Sequence, residues 1–335
     1  MRILITGASG FIGSFLVEKA LEKGFETYAG IRKSSSKQYL QDERIHFIDL
    51  NYSDPCLLTR QLRDFKCDHG KFDYIVHNAG VTKTTKKIDF DRINFEFTKN
   101  FVDALIDADM VPQKFVYMSS LSAWGPGDEK TLAPIMLSDK PHPNTAYGIS
   151  KLKSEKYIEA QRGFPFIFAR PTGVYGPREK DYFVFNQTVK RGIEPSMGFK
   201  PQYLTFIYVR DLVQFVFTAI ESPVMQRGYF ITDGHVYTNK EYADIVKRHL
   251  HKKRTIKIKV PLFLVKAIAA TLDTVVCGWF GKSPTLNRDK YNILSAMNWI
   301  CEIEPLRSDF NFKADYDLNR GMKESIDWYK QEGWL

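Results

Sequence analysis

Residues 1–14 read Met-Arg-Ile-Leu-Ile-Thr-Gly-Ala-Ser-Gly-Phe-Ile-Gly-Ser, an apolar run ending in a turn with glycines at 7, 10 and 13. That spacing suits the pyrophosphate of a dinucleotide. Gly7 permits the tight turn, Gly10 lets the backbone approach the phosphates, and Gly13 lets the next helix pack close to the strand. A helix is expected over about 11–23, its free N–H groups and positive dipole end aimed at the anion. Three glycines alone are weak evidence, since many βα turns carry them for steric reasons. The next apolar strand, at 27–31, falls where a βαβ unit requires it and gives the turn its meaning.

Working outward, the apolar runs at 45–49, 74–77, 114–118 and 166–170 are nearly continuous, as buried parallel strands are. Helices are expected between them. One starts at Asp54-Pro55, an N-cap followed by proline at the first helical position; others cover about 90–107 and 147–161. This alternation predicts an α/β protein with a doubly wound parallel sheet of the Rossmann kind, its ligands beyond the carboxyl ends of the strands. After Arg170 come a Gly/Pro-rich stretch at 171–177, a helix and a turn region near 195–201. A helix at 209–221 and a strand at 228–231 return to the sheet, and the chain from 236 on reads as mainly helical. The expected division is a dinucleotide-binding domain, 1–170 plus about 209–235, and a smaller, mainly helical substrate lobe, about 171–208 plus 236–335.

With 335 residues, 44% of them hydrophobic and 26% charged, the chain has an ordinary globular composition able to bury a core. No secretory leader is expected, because the first residues already form a strand. Cys56, Cys67, Cys277 and Cys301 are scattered without a C-x-x-C pair, which fits reduced thiols in a cytoplasmic protein. The seven histidines lack ligand spacing, so no structural metal is expected. The net charge of +9 is partly clustered at 83–87 and 247–254. It reads as a solvated face, or as attraction for an anionic cofactor or substrate, with no recognisable nucleic-acid module beside it. The apolar stretch 261–280 is interrupted by Lys266 and Asp273, which disfavours a membrane span. A buried or amphipathic helix is expected there, with peripheral membrane contact as the alternative.

Tyr147 and Lys151 lie four residues apart in a helical segment and so share a face. A phenol has a pKa of about 10, and a drop of ~2–3 units would need ~3–4 kcal/mol of preferential phenolate stabilisation. A lysine ammonium and a positive nicotinamide ring in a partly dry site are candidates to supply it. Ser120 follows the strand at 114–118, where its hydroxyl can hold a substrate oxygen. By itself Tyr-x-x-x-Lys is an ordinary helix-surface pair. The glycine turn, Asp49 after the third strand, His77 to Gly80 after the fourth and Ser119-Ser120 after the fifth give it weight.

With those motifs in place, the chain resembles the extended short-chain dehydrogenase/reductase family, the NAD(P)-dependent epimerase/dehydratase group. The likeness runs over nearly the whole chain, through Asn94, the Tyr-Gly-Ile-Ser-Lys stretch, residues 170–177 and Tyr208-Val-Arg-Asp211 to the closing helix. The resemblance implies that Ser120 orients the reacting oxygen, Tyr147 exchanges its proton, and Lys151 holds the ribose while lowering the tyrosine pKa. It implies cofactor contacts from Gly7, Ser9, Gly10, Phe11, Ile12 and Gly13 around the pyrophosphate, and from Asp49 and Leu50 beside the adenine. Ala79, Gly80, Val81 and Asn94 would line the cofactor, with Pro171 and Thr172 near the nicotinamide. A homodimer through paired helices is also implied. Trp124 departs from the family's usual tyrosine, a change expected to touch the substrate side.

Members that use NAD carry a carboxylate at the end of the second strand; here Ile31 stands there, followed by Arg32 and Lys33. A basic edge suits a 2′-phosphate, so NADP is the expected cofactor and NAD the alternative. Sugar-nucleotide epimerases of the group carry a diphosphate-clasping arginine where Leu204 falls, although Arg178, Arg210 or Arg288 offer substitutes. The acidic pair of the dehydratases is replaced by Leu121-Ser122. The aromatic-rich second lobe looks similar to hydroxysteroid-dehydrogenase-like and dihydroflavonol-reductase-like branches. Three readings follow: an oxidoreductase for a carbonyl or alcohol on a small, fairly apolar molecule, an NAD-dependent sugar-nucleotide epimerase, or a non-catalytic cofactor sensor.

Overall fold

A computed structural model describes residues 1–272 and 288–335. Strands β1 (Arg2–Thr6), β2 (Glu26–Gly30), β3 (Ile45–Ile48), β4 (Tyr74–His77), β5 (Lys114–Met118) and β6 (Phe166–Pro171) match the apolar runs. Short strands β7 (Gly173–Tyr175), β8 (Ile193–Met197), β9 (Tyr203–Leu204) and β10 (Phe206–Tyr208) precede β11 (Arg227–Ile231). Seven of these form one parallel sheet in the order β11-β6-β5-β4-β1-β2-β3. The order reverses between β1 and β4, so the crevice for a ligand opens beyond Thr6 and His77.

Both faces of the central strands are covered, which is why β1, β4, β5 and β6 are largely apolar. Ile3 and Ile5 point to the side of α1 (Phe11–Glu22), where they join Phe15 and Leu16 in one core. Leu4 points the other way, into a core with Leu58 and Leu62 of α2 (Pro55–His69). Asp54 caps α2, accepting from Leu57 N at 3.0 Å with proline next in line. A helical turn, α3 (Ile88–Phe90), and a π-helical turn at Asp91–Glu96 lead into α4 (Phe97–Asp107). The wide π turn carries Asn94, fully buried, towards the crevice. Packed beside it is α5 (Ala146–Glu159), which Thr145 caps through Gly148 N.

The rest of the chain holds α6 (Asp181–Lys190), α7 (Val209–Glu221), β12 (Tyr237–Thr238), α8 (Asn239–His249), β13 (Ile256–Val260) and α9 (Leu262–Leu272). Helices Arg288–Ser295, Glu304–Phe310 and Leu318–Gln331 follow. As expected, α7 lies on the main sheet and β11 pairs with β6. Two elements differ from the sequence reading. Part of the turn region at 195–201 belongs to β8, which pairs in parallel with β13. Ile256 to Lys259 are exposed on both faces, so their alternation gave no buried stripe to read. Residues 273–280 of the apolar stretch, with Asp273 and Cys277, lie outside the described residues. No helix among the described residues is long and apolar enough to cross a membrane.

Candidate active site

A cleft of about 1590 Å³ opens beyond the carboxyl ends of the strands, lined by residues of the main sheet and of the chain from Pro171 to Leu294. One end is the glycine turn. Gly7 has φ +64°, and a Cβ there would come within 2.9 Å of the Ala79 backbone. A Cβ on Gly13 would overlap the Gly7 carbonyl. Gly10 begins α1 with no side chain capping it, which leaves the first-turn N–H groups for an incoming anion. Ser9, Gly10, Phe11 and Ile12 line the cleft there, while Gly13 is buried behind them. A surface only glycine can provide, beside uncapped helix donors, fits a dinucleotide pyrophosphate.

Beyond β2 the cleft is lined by Ile31, Arg32, Ser35 and Ser36, then by Asp49 and Leu50 after β3. No carboxylate ends β2. Lys33 stays outside the cleft; its backbone N–H donates to Asp49 Oδ2 at 3.1 Å. Ala79, Gly80 and Val81 form the wall after β4. Asn94 supports that wall from behind: its Oδ1 accepts from Val81 N at 2.8 Å, and its Nδ2 donates to Val81 O and Ser150 Oγ at 3.0 Å. Asn94 itself does not line the cleft. Pro171 and Thr172 close the side beyond β6, Thr172 Oγ1 donating to Ile231 O.

Ser120, Tyr147 and Lys151 all line this cleft. The Ser120 hydroxyl accepts from Ser122 N at 3.1 Å, which fixes its orientation. Lys151 is 4% exposed and donates to Met118 O at 2.7 Å. Burial pushes its pKa down to about 8, with Glu155 pulling it back up. Burial also pushes the Tyr147 phenol up to about 12, against a smaller downward pull from Ser120. The ammonium is turned to the Met118 carbonyl, so desolvation governs the phenol.

The site has two further supports, of which only Asp289 went unread in the sequence. Asp289, from a helix far along the chain, accepts from Ala146 N at 2.8 Å and Tyr147 N at 3.4 Å, holding the first turn of α5. Nothing local marks it, because the partner lies more than a hundred residues away. His77 is fully engaged between Thr6 Oγ1 at 2.9 Å and Thr98 Oγ1 at 3.0 Å. Burial drives its pKa down to about 3.

On the far side the cleft is walled by Phe185, Met197, Phe199, Leu204, Val260, Val265 and Ile268. Leu204 does stand in the cleft. Arg178 also lines it, its guanidinium bonded to Ser14 Oγ and Glu18 and stacked on Phe15 and Tyr39. Arg210 pairs with Glu324 outside the cleft, and Arg288 is not part of its lining. Trp124 sits beneath the wall with the Arg170 guanidinium 3.8 Å over its ring, and does not reach the cleft. Among the described residues no group of three His, Cys, Asp or Glu gathers as a metal site.

A sequence profile of the NAD dependent epimerase/dehydratase family matches residues 3–231. The UDP-glucose 4-epimerase of Vibrio cholerae is 26% identical over 346 residues, 98% of this chain and 95% of that one. The ceramide reductase of Caulobacter vibrioides is 22% identical over 99% of this chain and 96% of its own length. A 3-beta-hydroxysteroid dehydrogenase of Mycolicibacterium neoaurum is 27% identical over 72% of this chain and 68% of its own length. Among solved structures, the UDP-glucose 4-epimerase of Thermotoga maritima with UDP-glucose superposes with a TM-score of 0.78 at 20% identity, covering 99% of each chain.

Proposed function

The chain belongs to the NAD dependent epimerase/dehydratase family, and from that premise we propose that it reduces a carbonyl on an apolar, lipid-like molecule with NADPH. Leu204 carries this reading. It stands among apolar side chains where a diphosphate would want a cation; of the three candidate arginines, Arg210 and Arg288 lie outside the cleft lining, and Arg178, which does line it, is already bonded to Ser14 Oγ and Glu18. Relatives named for ceramide and for a steroid alcohol support a substrate of this class. Arg32, with Ser35 and Ser36, supports the phosphorylated cofactor, since a 2′-phosphate wants cations and hydroxyl donors. Exposed Ile106 on α4 and Ile149 on α5 support a homodimer through those helices.

The bound nicotinamide would supply the hydride donor or acceptor, cradled by the first turn of α1 and the 79–81 wall. The chain does the rest. Ser120 donates a hydrogen bond to the substrate oxygen, and Tyr147 delivers a proton to it as charge develops. A phenol held near 12 is protonated at neutral pH, which suits the reducing direction. Below about pH 8 Lys151 is an ammonium, placed one helical turn from the tyrosine to favour the phenolate left behind.

The test is turnover of long-chain and sterol-sized ketones followed by loss of reduced-nicotinamide absorbance. Stoichiometric consumption of dissociable NADPH is expected, with Tyr147→Phe lowering kcat by roughly a hundredfold or more while cofactor still binds. Near-normal turnover by that variant would sink the mechanism. A second reading, a sugar-nucleotide epimerase with retained NAD, is favoured by the full-length likeness to the Vibrio cholerae enzyme. Retained cofactor and no net absorbance change on a UDP-sugar would select it.

A further inference from the structure

Helix α9 carries an unusual surface for a cleft wall. Val265 and Ala269, one turn apart, are buried against the protein, and Val265 with Ile268 reaches the cleft. Much of its remaining apolar surface is left to solvent: Phe263 is 70% exposed, Leu264 44%, and Ile268, at the cleft edge, 48%. Phe199, 68% exposed, adds to this face. It follows Gly198, whose backbone packs against Leu262 at the start of the same helix. Large apolar side chains gathered this way mark a surface that meets something else.

The charges around them say what. Lys200, Lys259 and Lys266 are exposed, and none forms an ion pair with a described carboxylate. Residues 195–201 and 255–272 contain no Asp or Glu at all. An apolar face rimmed by unpaired lysines is complementary to an anionic lipid surface: the aromatic and aliphatic side chains enter the acyl boundary while the ammonium groups meet lipid phosphates. The same face is continuous with the mouth of the cleft, through Phe199, Lys200, Lys259 and Ile268.

We propose that α9 and the 198–200 turn dock this protein on an anionic phospholipid bilayer, with the mouth of the cleft turned to the lipid. The docking stands independently of the substrate assigned above. It gives an apolar substrate a path from bilayer to cleft without crossing water.

The experiment is co-sedimentation of the full chain with vesicles of phosphatidylcholine alone and of equimolar phosphatidylcholine and phosphatidylglycerol, at low and high salt. Wild type is expected to pellet with the anionic vesicles and to be released by salt. The double variant Phe263→Ser/Leu264→Ser should partition at least roughly tenfold less, since two exposed apolar anchors are gone. Lys266→Glu should weaken binding to anionic vesicles only. Neither change touches the cleft lining, so both variants should melt normally and bind cofactor as wild type does. Failure of wild type to pellet, or equal pelleting by the double variant, overturns the proposal. So does a wild-type dimer that the double variant splits without any vesicle binding, which would make the face an interface between copies.

Discussion

His77, at the end of β4, is a histidine the fold keeps neutral. Its ring is wedged between two threonine hydroxyls, and burial drives its pKa down to about 3. An unfolded chain would take up a proton on this residue near pH 6.5, while the folded chain would not. Between pH about 6.5 and about 3 the unfolded state therefore binds more protons, and stability falls with acid by up to ~1.4 kcal/mol per pH unit from this group. Asp211 and Asp233 lean the other way: burial raises both to about 6, so they favour the folded state as pH falls through that value. The readout is consequently a difference. Denaturant titrations of His77→Phe should lose stability less steeply than wild type between pH 6 and 4, although the variant is weaker at pH 7 because two buried hydroxyls lose a partner. Lys151 makes a second residue-level prediction. Its ammonium is lost as pH rises through about 8 in the free chain, so cofactor affinity should weaken above that pH. Lys151→Met should bind more weakly at pH 7 and show no such inflection in a fluorescence titration.

At the scale of elements, the site depends on two helices being held from outside. The π turn at Asp91–Glu96 delivers Asn94 to both backbone groups of Val81, and Asp289 steadies the first turn of α5 beneath Tyr147. Asn94→Ala leaves the Val81 N–H without that acceptor, a loss worth ~1–3 kcal/mol, and should weaken cofactor binding by about tenfold or more. Asp289→Ala should lower kcat with little change in cofactor affinity, and Asp289→Asn should recover part of it, because the amide oxygen still accepts from the helix. A merely destabilising role would lower the melting temperature and leave the per-molecule kcat intact. These elements divide what the sequence made readable from what it hid. The central strands of the main sheet were legible because each is a short apolar run buried on both faces, and the edge strands β3 and β11 because part of each is still apolar. Tyr147 and Lys151 were legible because helical spacing puts them together. Asp289 was not, since its contact arises only when the chain more than a hundred residues on folds back over α5. The strand β13 was hidden for the opposite reason: Ile256 to Lys259 are exposed, so burial never patterned them. The burial that raises the Tyr147 phenol was hidden as well, because it comes from packing around α5 and not from the spacing of Tyr147 and Lys151.

At the scale of the whole molecule, the last helix ties the C-terminal region to the strands and loops beyond the main sheet. Leu318–Gln331 packs on the strand pair β7 and β10, and Tyr175 donates its hydroxyl to Asp317 O at 3.0 Å. Tyr329 donates to Gly176 O at 3.1 Å and Glu179 O at 2.9 Å, which anchors the loop that starts α6 and one wall of the cleft. From the sheet side, the Asp211 carboxylate accepts from Asp315 N at 3.1 Å and Tyr316 N at 3.0 Å. This docking is close enough to require glycine at 321, where a Cβ would overlap the Tyr175 hydroxyl and come 2.8 Å from its ring. The tyrosine ring is 1% exposed and cannot swing away. Gly321→Ala should therefore push the helix off its seat, despite alanine's better helix propensity of about 1 kcal/mol. Overpacking of this kind costs ~1–3 kcal/mol, which outweighs or cancels the propensity gain. The expected result is a lowered melting temperature together with a raised substrate KM, because α6 loses its anchor while the glycine turn and its cofactor affinity are untouched. Gly321→Ala/Tyr175→Phe should recover part of both losses by removing the overlapping hydroxyl. A Gly321→Ala protein that melts higher than wild type, with unchanged KM, would show that the closing helix is not what holds the cleft wall in place.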